Sequence, residues 1–156
     1  MPSDEEDKAG VVAPPPLIYL GALVFSLLLN RRFPIAFLPC RIVRSVGWPL
    51  LIGGVLLIGW FEWTMRHAGT LSNPYKPVSR MVTDGPFRYT RNPAYLSMTM
   101  VYTGIASLTN ALWAILLLPV ALLVIQRGVI VREERYLERK FGEEFLRYKA
   151  QVRRWI

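Results

Sequence analysis

From Ala111 to Val131 the chain runs through twenty-one residues whose one charged member is Arg127. As a helix this run reaches about 31 Å, the thickness of a bilayer's hydrocarbon core. Backbone groups in lipid must be satisfied within their own segment, so such a run is read as a membrane-spanning helix. Three further apolar runs precede it: Leu17 to Leu29, Val46 to Trp63, and Pro93 to Leu108. The first, as a helix, covers only about 20 Å and must borrow from its flanks. Hydrophobic residues make up 53% of the chain, more than a soluble domain of this size needs. The expectation is an all-α integral membrane protein with about four transmembrane helices, in a range of three to five, followed by a C-terminal amphipathic helix.

Local composition refines the spans. Gly47, Gly53, Gly54 and Gly59 give the second run a low-profile face for close helix contact, and Trp60, Phe61 and Trp63 resemble an interfacial aromatic belt. Thr99, Thr103 and Ser107 recur every fourth residue on the third run, a polar stripe read as packing rather than as a ligand site. Phe33 to Pro39, bounded by prolines, reads as an interfacial connector. The stretch containing Asn73 to Pro77, NPYKP, is too rich in turn residues to be helical throughout. Residues 1–16 are expected to be a disordered N-terminus, with Pro14, Pro15 and Pro16 stiffening its end, and the acidic start does not look like a cleaved signal peptide.

The net charge of +8 would suggest nucleic acid in a soluble protein. Here the basic residues lie between and after the apolar runs, as the positive-inside rule places them, so membrane lipids rather than nucleic acid are the expected partner. A cytoplasmic basic tail puts the Asn110 turn outside and the loop from Thr64 to Asn92 inside, in what is expected to be a bacterial inner membrane. Arg31, Arg32, Arg41 and Arg44 then fall on the wrong side, which leaves the number of spans before Gly47 open. With Cys40 the one cysteine and His67 the one histidine, no cysteine cluster or histidine-rich metal site is expected.

The stretch from Met81 to Leu96, MVTDGPFRYTRNPAYL, carries the chemistry. Asp84-Gly85-Pro86 reads as a turn, and Asn92-Pro93 reads as an N-cap followed by the first helical residue. The helix end would face back over Arg88, Tyr89 and Arg91 as a cationic, donor-rich nest for a carboxylate or phosphate. Glu133 and Glu134 leave the last span as adjacent carboxylates, a poor match to an anionic membrane surface, and so call for a different cation. Arg127 sits within the last turns of that span, either functional or snorkelling to the headgroups. The tail repeats Leu137, Phe141, Phe145, Tyr148 and Val152 at helical spacing, and Gly142 is expected to split it into two short helices.

Four motifs together resemble the isoprenylcysteine carboxyl methyltransferase family, integral-membrane enzymes related to the phospholipid N-methyltransferases, in its short bacterial form. They are MVTDGPF, the box Arg91-Asn92-Pro93-Ala94-Tyr95, the pair Glu133-Glu134, and FGEEFLRY from Phe141 to Tyr148. The resemblance covers roughly the last half of the chain. It implies one membrane methyltransferase domain over residues 17–156, with a cofactor-binding half from about residue 74, and S-adenosylmethionine as cofactor. Ser79, Arg80, Met81 and Val82 would line the cofactor, with Phe87 packed nearby. Arg91, Asn92, Pro93, Ala94 and Tyr95 would meet it at the helix start, and Glu133 and Glu134 would draw its hydroxyl and cationic groups. The family usually has histidine at Asn92, so any acid–base role there is lost. Its eukaryotic members carry a substrate-contacting arginine at the position of Val129, for which Arg127 is the nearest candidate.

Arg127 and Tyr95 are therefore the candidate catalytic residues, and the expected reaction is methyl transfer to a lipophilic, carboxylate-bearing acceptor at the membrane–cytoplasm interface. A carboxylate is already ionised at neutral pH and needs no general base. The alternatives are a phospholipid or other amine or thiol acceptor, and a non-enzymatic membrane protein with a docking tail. The oligomeric state is left open.

Overall fold

The computed structural model describes residues 13–70 and 80–156. The acidic N-terminus through residue 12, the segment containing NPYKP and Ser79 lie outside the described residues. Among the described residues all regular structure is helical: α1 (Pro15–Arg32), α2 (Cys40–His67), a 3-10 turn (Gly85–Arg88), α3 (Pro93–Leu108), α4 (Leu112–Ile125), a π-turn (Gln126–Ile130), α5 (Val131–Phe141) and α6 (Glu143–Gln151).

Among the described residues two helices are long and apolar enough to cross a membrane, Arg41–His67 and the continuous rod Leu112–Phe141. The sequence suggested about four such spans. At 16 residues α3 reaches about 24 Å, short of a full hydrocarbon core, and the 18 residues of α1 begin at a proline pair and end at Arg31-Arg32. Pro15 and Pro16 belong to the first turn of α1, where a missing N–H costs nothing, so the ordered chain starts earlier than residue 17.

The closest packing is between α2 and α3, and glycines make it possible. A Cβ on Gly104 would lie 2.7 Å from the Leu51 amide nitrogen, and one on Gly54 would lie 2.9 Å from the Ser97 carbonyl oxygen. Gly47 and Gly53 also face α3, whereas Gly59 meets nothing within 4 Å and takes no part. Gly104→Ala is expected to cost about 1–3 kcal/mol, since two backbones must separate. A fall in the thermal inactivation midpoint, absent in Gly59→Ala, checks this.

Hydroxyls tie the remaining helices together. Tyr19 Oη of α1 shares a 2.8 Å hydrogen bond with Thr99 Oγ1 of α3, and Tyr102 Oη donates to the Ala114 carbonyl of α4 at 2.9 Å. Of the small polar stripe, Thr99 makes the contact with α1 and Ser107 is buried, while Thr103 Oγ1 donates back to the Thr99 carbonyl within α3. Asn110, at φ +48°, closes the α3–α4 turn: its Oδ1 accepts from the Phe37 and Leu38 amides at 3.1 and 3.2 Å, fastening the connector before α2. Gly142, at φ +51°, breaks the tail between α5 and α6. The tail does not lie loose on the headgroups, for Phe145 is buried and α6 folds back toward the start of α3.

Candidate active site

Gly85 adopts φ +60° and its missing Cβ would fall 2.5 Å from Thr64 Oγ1, so the Asp84-Gly85-Pro86 turn seats directly on the end of α2. The turn delivers Phe87 against Phe61, with ring centroids 5.7 Å apart, and hands the chain to the start of α3. Phe61 thus faces inward and is buried, while Trp60 and Trp63 stay exposed. One aromatic of the apparent belt belongs to the interior, because successive helical residues point about 100° apart.

Here α2, the 80–82 segment, the start of α3, α5 and α6 enclose a cavity of about 460 Å³, within the range of small-molecule sites. Arg80, Met81, Val82 and Phe87 line it, as do Arg91, Asn92, Pro93, Ala94 and Tyr95, and Glu133 and Glu134. Sequence reasoning missed the opposite wall. Pro15 and Pro16 of α1, Ile58, Phe61, Glu62 and Met65 of α2, and Met98 of α3 make most of it apolar. Tyr136, Leu137, Phe145 and Tyr148 complete the floor, and two of these lay within the FGEEFLRY motif.

The two glutamates do different work. Glu134 is nearly buried and tied to two arginines: Arg91 Nη2 at 3.0 Å from Oε1, and Arg154 with Nε at 2.9 Å from Oε1 and Nη2 at 2.6 Å from Oε2. Its charge is thereby spent within the fold. Glu133 accepts the Tyr95 hydroxyl at 2.8 and 2.9 Å, and among the described residues no lysine or arginine pairs with it. Glu133 thus offers a carboxyl group on the cavity wall to a bound cation or hydroxyl.

The cationic nest is smaller than expected. Arg88 turns outward to Asp84 at 3.0 Å in an exposed pair, and Tyr89 is exposed. Arg91 remains, with Nη1 donating to the Lys149 and Val152 carbonyls at 2.8 and 3.2 Å. Its Nε–H is buried without an acceptor among the described residues. A buried charged donor left unpaired is costly. Asn92 precedes α3 as foreseen, yet its side chain does not cap the helix: Nδ2 donates 2.8 Å to the Arg154 carbonyl, drawn off by the tail.

Tyr148 Oη donates to the Phe87 carbonyl at 2.7 Å, and burial holds this phenol above its ordinary pKa, a neutral clasp between floor and turn. Arg127 lies in the π-turn, exposed, and is not part of the cavity wall. Six residues separate it from Glu133, so on an ideal helix the two point about 120° apart. Val129 is buried in the core cluster instead.

Residues 42–144 match the family described as phospholipid methyltransferase. The chain belongs to that family. This agrees with the resemblance carried by the four motifs. A 35-residue stretch is 60% identical to an uncharacterized protein of Haemophilus influenzae, covering 22% of this chain and 56% of that one. The match thus spans little more than half of that relative. No solved structure matches. For a phospholipid methyltransferase family member the matched segment holds most of the cavity, while α1 and the residues past 144 lie outside it.

Proposed function

We propose that the protein transfers a methyl group from S-adenosylmethionine to a lipophilic acceptor at the cytoplasmic face of a bacterial inner membrane. The observation that carries this is the cavity lined by Arg91 and the start of α3 and, across it, by Glu133, a carboxyl group that no lysine or arginine among the described residues engages. Those groups fit a donor that carries a carboxylate, an ammonium, ribose hydroxyls and a sulfonium. Arg91, with the start of α3, would hold the carboxylate, and Glu133 would hold a hydroxyl or the ammonium. S-adenosylmethionine, when bound, supplies an electrophilic methyl group.

This chain's own residues supply position and exclude water. Tyr95 orients Glu133, and Phe61, Phe87 and Phe145 close the floor against solvent. The apolar wall of Pro15, Ile58, Met65 and Met98 suits an acceptor that approaches from the lipid. A carboxylate acceptor needs no base, and Arg80 on the wall is a cation to receive it. A second reading, an amine acceptor, is favoured by two glutamates lining the cavity, Glu133 and, on the opposite wall, Glu62. In this reading α1 and α3 join the two long helices within the membrane, giving four spans.

Incubation of purified protein with methyl-labelled S-adenosylmethionine and a membrane lipid extract tests the proposal. Label is expected in the organic phase, and its absence would count against lipid methylation. Release of labelled methanol by mild base marks an ester, and base-stable label marks an amine. Arg127→Leu is expected to leave transfer within about twofold, since uncoupled surface changes have small effects. A hundredfold loss would bring Arg127 back as an acceptor ligand.

A further inference from the structure

The end of α6 and the residues past it run back along the start of α3 and fasten there at five points. The Arg91 amide donates to the Arg153 carbonyl at 3.0 Å, and the Arg91 Nη1 bonds reach the Lys149 and Val152 carbonyls. The Arg154 carbonyl accepts both Thr90 Oγ1 at 3.1 Å and Asn92 Nδ2 at 2.8 Å. The Arg154 guanidinium then crosses to α5 and takes both oxygens of Glu134. Beyond it, Trp155 packs on the core cluster and donates to Gln126 Oε1 of the π-turn at 3.2 Å. The matched family segment ends at residue 144, so it assigns none of this.

We propose that Arg154 is a positioning residue that fixes the donor end of the cavity by holding the start of α3 and the start of α5 at one separation. It does not itself line the cavity; it acts through Arg91 and Glu134, which do. The reason lies in how the two forks share one carboxylate. Arg91 contacts Glu134 through Nη2 and Oε1 alone, because Arg154 occupies Oε2 as well as Oε1. Bidentate pairing is the preferred geometry of a guanidinium with a carboxylate. Without Arg154, Oε2 falls vacant and Arg91 closes its own fork on Glu134, which shifts its guanidinium on the cavity wall. Arg154 thus keeps Arg91 in its place on that wall.

That this wall meets S-adenosylmethionine rests on the function proposed above, so the test has one arm with the donor and one without it. Arg154→Ala is expected to raise the dissociation constant for S-adenosylmethionine about tenfold, and Arg154→Lys, a point charge without the fork, about threefold. At saturating donor, kcat should stay within about twofold of wild type while the donor KM rises, because a uniform binding loss leaves the chemical step untouched. Without donor, hydrogen exchange at the Arg91 amide should quicken in both variants. Glu134→Gln with Arg154→Ala should be no weaker in donor binding than Glu134→Gln alone, since the two act as one unit.

Wild-type affinity and wild-type exchange in Arg154→Ala would overturn the proposal, as would additive losses in the double variant. If Arg154→Ala does not fold, Arg154→Lys decides, and full equivalence to wild type in both arms rejects the clamp. A wild-type protein that binds no S-adenosylmethionine would sink the proposed function, and the clamp would then stand or fall on the exchange arm.

Discussion

Replacing Glu133 by glutamine is expected to weaken S-adenosylmethionine binding by about ten- to a hundredfold while leaving the protein folded and membrane-inserted. Glutamine keeps the volume, and its amide oxygen still accepts the Tyr95 hydroxyl, so the wall retains its shape. What is lost is the capacity to carry a negative charge opposite a bound cation, at a position where no lysine or arginine of the described residues pairs with it. A hydrogen bond to a charged group contributes about 1.5–3 kcal/mol, and each 1.4 kcal/mol is about tenfold in affinity. Tyr95→Phe should act in the same direction but less, about fivefold, because it frees Glu133 without discharging it. Calorimetric titration in detergent reads both. An unchanged dissociation constant in Glu133→Gln would remove that residue from the site.

Glu134 answers to a different measurement. Glu134→Met is expected to destabilise the protein by about 3 kcal/mol, because it strands the Arg91 guanidinium in a nearly buried position beside a second cation, Arg154. At this chain length such a loss lowers the thermal inactivation midpoint by roughly 6–12 °C. The main-chain carbonyls of Lys149 and Val152 still accept from Arg91, which keeps the loss from being larger. Asp84→Ala breaks an exposed pair of similar length and should cost no more than about 0.5 kcal/mol. A midpoint within a degree of wild type in Glu134→Met would show that the triad contributes nothing to stability.

Features decided by neighbours in the chain were legible beforehand. The start of α3 at Pro93 follows from one dipeptide, and the break at Gly142 from one residue. The pieces of the cavity wall from Arg80 to Tyr95 were recognisable as motifs, since they lie on one continuous stretch and its helix start. What escaped was set by distant parts of the chain. Asn92 reads as a cap, yet its amide goes to a carbonyl 62 residues away. Phe61 reads as part of an aromatic belt until the Gly85 turn places Phe87 against it. Arg127 looked close enough to substitute for an arginine at Val129, but helical phase carries it off the wall. Arg154 carries no motif, and only the folded tail brings it to Glu134.

The most direct test is to irradiate the wild-type protein in micelles with methyl-labelled S-adenosylmethionine and map the crosslinked peptides. The account predicts saturable label, competed by S-adenosylhomocysteine, on peptides covering residues 80–98 and 133–148. Label confined to other segments, or none at millimolar donor, would contradict it.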